Sequence, residues 1–388
     1  MTRTNSIKVS RFSDYLFWGS LYLFVGIIMI DPANKLLHMK EVAFVLLLLI
    51  TIISQRGKFY REAVETFFAL TLLAFLSICM GVFVYHTDAV SSLPYFKALL
   101  FLLVMYPLSI LSINQILKFN YIVGLGMSLF ISFMLLSYVG GLFDMMNFIL
   151  MLRDGGAVYI AMRENLGFEM YMFYYATLPY IFLAFIYALR NGHYVSSFFI
   201  VATIFYGGSR TPILMAFAVV GYILYDKKKS KFLKLLIGTF VVIALFYIVY
   251  LLTSNTYSQE GDDFKFAVAN YLLVNSSPVG HGVGAMYWDP GRSSWTNSTE
   301  ITYIEMLYQY GWFLFPFVLY IFIKPFVKLY KRTNNDNVRD FAIAYFVYLI
   351  NAGTNPLLIS STGLYVFACT ITISAKLKAR NCKGIEQI

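Results

Sequence analysis

Residues 205–217 read FYGGSRTPILMAF, a short break between two strongly apolar runs. Gly207, Gly208 and Pro212 are residues that interrupt helices, so the break predicts a tight turn between two helices. Arg210 stands in this turn with no acidic neighbour in the sequence. A cation near membrane depth is costly and is by default a functional hypothesis. The alternative interpretation is a structural arginine that snorkels to the lipid headgroups.

The composition places this turn in a membrane protein. Of the 388 residues, 59% are hydrophobic, 19% are aromatic and 13% are charged. Charged residues make up about a quarter of a typical soluble domain. We therefore predict an all-α integral membrane protein that forms one polytopic domain over residues 1–388, with about twelve transmembrane helices. The predicted spans are 16–30, 39–54, 63–83, 96–113, 119–139, 170–189, 194–207, 211–225, 232–252, 302–323, 341–355 and 357–375.

The charge distribution predicts the orientation of these spans. The net charge is +10, and Lys and Arg cluster after apolar runs, as in residues 227–231, 324–332 and 376–383. Positive residues concentrate on the cytoplasmic side of membrane proteins. Alternation of the spans then puts both termini in the cytoplasm and Arg210 near the outer surface. The basic clusters indicate contact with anionic lipid, and nucleic acid is not an expected partner.

Two outer loops are longer than a simple connection. The first covers residues 140–169 and the second, larger one covers residues 253–301. Within the second loop, DDFKFAVANYLL (262–273) and AMYW (285–288) are predicted as short helices at the membrane interface.

Four polar residues of these loops are candidates for chemistry. Arg163 lies in the first outer loop and Arg292 in the second. With Arg210 they suggest an anion site, because the planar guanidinium matches phosphate oxygens bidentately; solvated loop arginines or ion pairs are the alternative. Glu300 ends the second loop, where a carboxylate can act as a general base or cap the following helix. His281 is a second proton-handling candidate, although a lone loop histidine is more often structural.

Three segments resemble the superfamily of O-antigen polymerases (Wzy-type) and O-antigen ligases. These are GGSRTPILMAF (207–217), SPVGHGVGAMY (277–287) and TEITYIEMLYQYGWF (299–313). Arg163, before the run MYMFYYATLPYIFLAF (170–185), also falls where that superfamily places a loop arginine. Ligases carry a histidine eleven residues before the glycine that corresponds to Gly311, whereas this sequence has Glu300 there. The chain therefore resembles the polymerase branch.

The resemblance implies a C-type integral-membrane glycosyltransferase (GT-C-like) architecture in the bacterial inner membrane. Such a polymerase moves a growing glycan from undecaprenyl diphosphate to the non-reducing end of a lipid-linked repeat unit at the outer face. Other implied partners are membrane lipids, a chain-length regulator and a flippase. Neither a metal nor a cofactor is expected, because guanidinium groups supply the positive charge.

The resemblance also implies roles for the candidate residues. Glu300 would deprotonate or orient the acceptor hydroxyl. Arg210, Arg163 and Arg292 would stabilise the departing diphosphate. Aromatic side chains of the second loop would stack on sugar faces, with an interfacial aromatic belt as the alternative; they are Tyr287, Trp288 and Trp295.

Two other functions stay open at this point. An O-antigen ligase would transfer the glycan to a different acceptor. A lipid-linked oligosaccharide flippase would have a similar number of spans, but it is expected to line a central cavity with charges and to keep its outer loops short. The length of residues 253–301 argues against the flippase.

Overall fold

The computed structural model describes most of the chain. The described residues are 2–32, 34–54, 57–141, 145–165, 168–207, 210–227, 259–290, 293–297, 299, 301–333, 335–353 and 358–385. The predicted span 232–252 lies outside them, as do Arg292 and Glu300. Arg163 and Arg210 are described as backbone positions, and their side chains lie outside the description.

The described residues are largely helical. The helices are α1 (Thr2–Ile30), α2 (Lys40–Ile53), α3 (Arg61–Tyr85), α4 (Leu93–Leu100), α5 (Met105–Leu108), α6 (Ile113–Gly140), α7 (Met145–Asp154), α8 (Ile181–Arg190), α9 (Tyr194–Tyr206), α10 (Arg210–Lys227), α11 (Gln259–Val274), α12 (Thr302–Arg332), α13 (Asp336–Ala352) and α14 (Ser361–Ile385). Short 3₁₀ helices cover Ala89–Ser92, Phe101–Val104 and Leu178–Tyr180. Two antiparallel hairpins complete the fold, with strands β1 (Val158–Asn165), β2 (Phe168–Tyr175), β3 (Tyr287–Asp289) and β4 (Ser294–Thr296).

Several helices have the length and apolar composition of membrane spans. Five such segments occur among the described residues: Ser13–Ile30, Arg61–Tyr85, Ala89–Leu108, Ile113–Gly140 and Thr302–Lys331. Shorter apolar helices cover Leu178–Arg190, Tyr194–Tyr206, Thr211–Asp226 and Phe264–Val274. The chain is thus a helical protein suited to a membrane, while the number of twelve spans and the GT-C-like architecture stay predictions.

Two predicted helices are partly strands, which corrects the sequence interpretation. The span predicted at 170–189 begins inside β2, and its helix α8 starts only at Ile181. The segment AMYW, predicted as a helix, ends in β3. An apolar run rich in aromatic residues fits a strand as well as a helix, and periodicity alone does not separate the two. The helix predicted at 262–273 is found within α11, while its position at the membrane interface stays a prediction.

Ionic contacts hold one end of the helical bundle, which we call the basic end. The Arg190 guanidinium at the end of α8 contacts both oxygens of Asp340 on α13, with Nη2 2.7 Å from Oδ1. Its Nη1 donates to Asp226 of α10 at 2.8 Å. On the other side of this end, Lys328 of α12 pairs with Glu62 of α3. These contacts fix the directions of five helices relative to one another.

Hydroxyl groups tie the opposite end, which we call the loop end. The last carbonyls of α1 accept hydrogen bonds from Tyr175 and from Thr177, the latter at 3.1 Å. Thr362 at the start of α14 donates to the Ile28 carbonyl at 3.0 Å. α1 therefore ends where β2 ends and where α14 begins.

The start of α12 joins the loop end through α13. The Tyr303 hydroxyl, near the start of α12, donates to the Leu349 carbonyl near the end of α13 at 2.6 Å. The ring of Tyr303 also packs on Gly353. Because α13 begins at the basic end, its last turn and the start of α12 share the loop end.

We expect Asp340→Asn to destabilise the protein by about 3 kcal/mol, because the substitution leaves the buried Arg190 guanidinium without its bidentate partner. The Asp340 side chain is 2% exposed and that of Arg190 is 10% exposed. The measurement is the unfolding midpoint of purified protein in detergent. Asp336→Asn is the matched control, since the Asp336 side chain is 62% exposed and pairs with Arg339 at the surface. Equal midpoints for the two variants would contradict this account of the basic end.

Candidate functional site

A sharp break interrupts α12 at Gly311. Its backbone has φ 73° and ψ 171°, outside the helical range. Only glycine adopts this conformation readily. In an intact helix the amides of Trp312 and Phe313 would donate to the carbonyls of Tyr308 and Gln309. The break therefore leaves two donors and two acceptors that need other partners.

The docked loop, residues 275–284, supplies the donors for both freed carbonyls. The Tyr308 carbonyl accepts from the His281 amide at 3.0 Å. The Gln309 carbonyl accepts from the Gly282 amide at 3.0 Å. It also accepts from the Ser77 hydroxyl of α3 at 2.9 Å.

The same loop supplies the acceptors for both freed amides. The Trp312 amide donates to the Ser277 carbonyl at 3.2 Å, and the Phe313 amide donates to the Pro278 carbonyl at 3.1 Å. All four backbone groups released by the break are thus satisfied. Unpaired backbone groups are costly in an apolar region, so the loop and the break form one structural unit.

A glycine on the loop side allows this close approach. Gly280 has φ 78°, and a Cβ atom added to it would lie 2.5 Å from the Gly311 nitrogen. No side chain fits in that space. The loop is also held by the residue that precedes α4, since the Ser92 hydroxyl donates to the Val283 carbonyl at 2.5 Å. The glycines of the sequence SPVGHGVG thus serve backbone packing against α12, α3 and α4.

Two of the three segments noted in the sequence therefore meet in space. Residues 277–287 contain the part of the docked loop that contacts the break, and residues 299–313 contain the break that receives it. The third segment, residues 207–217, reaches the same end of the bundle. Asp226, near the end of α10, lies at the basic end, and the turn at Gly207 packs on Leu178 beside the loop end. The first residue of α10, Arg210, is consequently at the loop end.

A buried carboxyl group lies in the first turn of α12. Glu305 is 5% exposed. Its Oε1 accepts from the Tyr95 hydroxyl at 3.2 Å and from Gln309 Nε2 at 3.0 Å. Its Oε2 accepts from the backbone amide of Thr299 at 3.0 Å. Gln309 Nε2 also lies 3.0 Å from the Tyr95 hydroxyl oxygen. We call these four residues the Glu305 cluster.

The Glu305 cluster brackets the position of Glu300. Thr299, on one side of it, is held by the Glu305 carboxylate. Ile301, on the other side, accepts a hydrogen bond from the Glu305 amide at 3.0 Å. Glu300 itself lies outside the described residues, so its role as a base stays a prediction. Helical periodicity would turn Glu305 about 140° away from Glu300, so it gives no indication that the two residues are connected.

His281 is held between two tyrosine rings. Its ring centroid lies 4.2 Å from that of Tyr308 and 4.1 Å from that of Tyr85. Nε2 lies 2.7 Å from the Asn275 carbonyl oxygen, an acceptor, so Nε2 carries a proton. Burial lowers the pKa of His281, and the hydrogen bond to Asn275 offsets part of this effect. Burial therefore favours the neutral form of the ring.

The predicted aromatic contacts divide into one buried and two exposed residues. Trp288 and Trp295 are cross-strand partners in the β3–β4 hairpin, with ring centroids 6.0 Å apart. They are 36% and 62% exposed and offer a surface to a ligand. Tyr287 is 0% exposed and packs edge-on against Tyr308, so it offers no ring face for stacking. Arg292 belongs to the connection between β3 and β4, outside the described residues.

Arg163 occupies a different part of the loop end. It lies in β1, paired with Met170 of β2, and the base of this hairpin contacts the end of α1 through Tyr175. The described residues contain no group of three or more His, Cys, Asp or Glu side chains that could hold a metal ion.

No protein-family model, no curated protein and no solved structure matches this chain.

Proposed function

We propose that the protein is a membrane polysaccharide polymerase that uses the loop end as its active site. The observation that carries the proposal is the fit of residues 277–282 into the break at Gly311, which joins two segments that are separate in the sequence. The start of α10, with Arg210, lies at the same end of the bundle. The resemblance of all three segments to O-antigen polymerases motivates this choice of reaction.

In the proposed reaction, a hydroxyl of the acceptor sugar attacks C1 of the donor glycan. A new C–O bond forms as the bond between C1 and the lipid diphosphate breaks. The electron pair of the broken bond stays on the diphosphate oxygen. Glu300 takes the proton of the acceptor hydroxyl and later releases it to water. The products are a glycan longer by one repeat unit and free undecaprenyl diphosphate.

Arginines provide the electrostatic part of this proposal. Negative charge grows on the diphosphate as the bond breaks, so cations placed there stabilise the transition state more than the ground state. Arg210 is the first choice because it begins a helix at the loop end, where the membrane lowers the dielectric constant. Arg163 and Arg292 are assigned the same role from the outer loops. Trp288 and Trp295, both exposed, are assigned to sugar stacking.

The test is a reaction with purified full-length protein in proteoliposomes and a synthetic lipid-linked repeat unit. Chain extension, seen as a ladder of products, supports the proposal. Transfer of a single repeat to a different acceptor without extension would indicate a ligase instead. Movement of a fluorescent lipid-linked sugar across the bilayer without extension would indicate a transporter. Either of the last two results would overturn the polymerase assignment.

We expect Arg210→Lys to lower the rate of chain extension by about 100-fold, because lysine keeps the charge but loses the bidentate fork. The measurement is the initial rate in the same proteoliposomes, normalised to folded protein. Arg153→Lys is the matched control, because Arg153 in the first outer loop is exposed and pairs with Asp154 at 3.3 Å. A fully active Arg210→Lys protein would assign Arg210 to snorkelling instead.

A further inference from the structure

The Glu305 cluster contains a buried carboxylate that the proposed reaction does not use. Burial of an ionisable group is costly unless hydrogen bonds compensate it. Each compensating group here belongs to a different part of the chain: Tyr95 to α4, Thr299 to the end of the second outer loop, and Gln309 to α12. A single side chain thus connects three elements at the loop end.

We propose that Glu305 is a positioning residue, which fixes the backbone next to Glu300 through the Thr299 amide. This inference rests on the proposed function, in which Glu300 is the base. The hydrogen bond of 3.0 Å reaches the residue that directly precedes Glu300. The Ile301 carbonyl on the other side is held by the Glu305 amide. The Glu305 side chain therefore holds one backbone neighbour of the base, and the first helical hydrogen bond of α12 holds the other.

The donors around Glu305 require two accepting oxygens. Gln309 Nε2 and the Thr299 amide can only donate, and they address different oxygens of the side chain. Both oxygens must therefore accept. A glutamine at position 305 would place its amide nitrogen against one of these two donors, and one hydrogen bond would be lost. The site thus distinguishes a carboxyl group from an amide of equal size.

Gln309 links this carboxylate to the docked loop. Its side chain donates to Glu305, while its own carbonyl accepts from the Gly282 amide and from the Ser77 hydroxyl. The Thr299 amide is therefore connected, through Glu305 and Gln309, to the same loop that fills the break in α12. A general base needs this kind of fixed support, because small displacements cost large factors in rate.

The substitution Glu305→Gln tests the proposal. We expect the turnover rate of chain extension to fall about 10- to 100-fold, with the KM for the lipid-linked repeat within about twofold of wild type. Peptides that cover residues 297–301 should exchange amide hydrogen for deuterium faster than in wild type. Tyr303→Phe is the control. Tyr303 lies on α12, as Glu305 does, but its hydroxyl donates to the Leu349 carbonyl on α13, so its removal leaves the Glu305 cluster intact. It should change neither the turnover rate nor exchange at 297–301.

A double-mutant cycle separates positioning from general destabilisation. Glu300→Asp retracts the base and leaves measurable activity. If Glu305 acts through Glu300, Glu305→Gln should cost much less in the Glu300→Asp background than in wild type. If Glu305→Gln lowers the rate of chain extension by the same factor in wild type and in Glu300→Asp, the proposal is overturned. If Glu305→Gln does not fold, Tyr95→Phe removes one donor from the same carboxylate and enters the cycle in its place.

The two proposals fail in different ways. If wild-type protein does not extend chains, the proposed function is overturned. The exchange rate at residues 297–301 would still test whether Glu305 holds the Thr299 amide. If wild-type protein is active and Glu305→Gln matches it in rate and exchange, the positioning role alone is overturned.

Discussion

Glu300→Gln should abolish chain extension and leave the amount of folded protein unchanged. Glutamine keeps the shape of the side chain but cannot take a proton from the acceptor hydroxyl. General base catalysis contributes typically about 10²- to 10⁴-fold, so we expect a loss of about 1,000-fold. The measurement is the initial rate of extension by purified protein in proteoliposomes, together with the length distribution of the polymer made in cells.

Glu65→Gln is the control for the loss of a negative charge. The Glu65 side chain is 59% exposed and pairs with Arg61 at the basic end, far along α3 from the docked loop. Its substitution should leave extension unchanged. Polymer of normal length from Glu300→Gln would exclude the base and would favour a helix-capping role for this residue.

Gly311→Ala should have the largest effect on the fold of the loop end. At φ 73° and ψ 171° an alanine is strained, and its Cβ atom would lie 2.5 Å from the Pro278 carbonyl oxygen. The docked loop must move away, and the four hydrogen bonds that close the break are lost with it. We expect a destabilisation of roughly 4 kcal/mol, in the range of the most damaging single substitutions.

Thermal unfolding in detergent and limited proteolysis of residues 275–284 measure this effect. Gly126→Ala is the matched control, because Gly126 lies inside α6 and an added Cβ atom meets nothing within 4 Å. Alanine there should be neutral or stabilise by up to about 1 kcal/mol through its higher helix propensity. A Gly311→Ala protein with wild-type stability and an uncut loop would refute the docking of residues 277–282 in the break.

The apolar helices could be predicted from the sequence because their signal is local. The spans expected at 63–83 and 119–139 lie within α3 and α6, and the interfacial helix at 262–273 lies within α11. Length and hydropathy suffice for such segments. The turn before Arg210 was also predictable, since glycine and proline mark it. The hairpin β1–β2 was not, because its aromatic residues form an apolar run that continues into α8.

The Glu305 cluster could not be predicted from the sequence. Tyr95 and Glu305 are 210 residues apart in the chain, and no local pattern joins them. The hydrogen bonds between the docked loop and the break could not be predicted either, although the glycines at 280 and 311 do indicate close backbone approach. Helical periodicity separated Glu305 from Glu300, whereas the structure connects them through the Thr299 amide instead of through a shared helix face.

In the proposed polymerase, Arg210 and Glu300 face one site at the outer surface. The most direct measurement is chemical cross-linking of Arg210→Cys with Glu300→Cys in protein whose native cysteines, Cys79, Cys369 and Cys382, are replaced by serine. We predict that a short, membrane-impermeant bismaleimide applied from the outside links this pair. The pair Arg210→Cys and Asp336→Cys, which spans the two ends of the bundle, should stay unlinked. Absence of the first link, or reaction of position 210 only from the cytoplasmic side, would contradict the account.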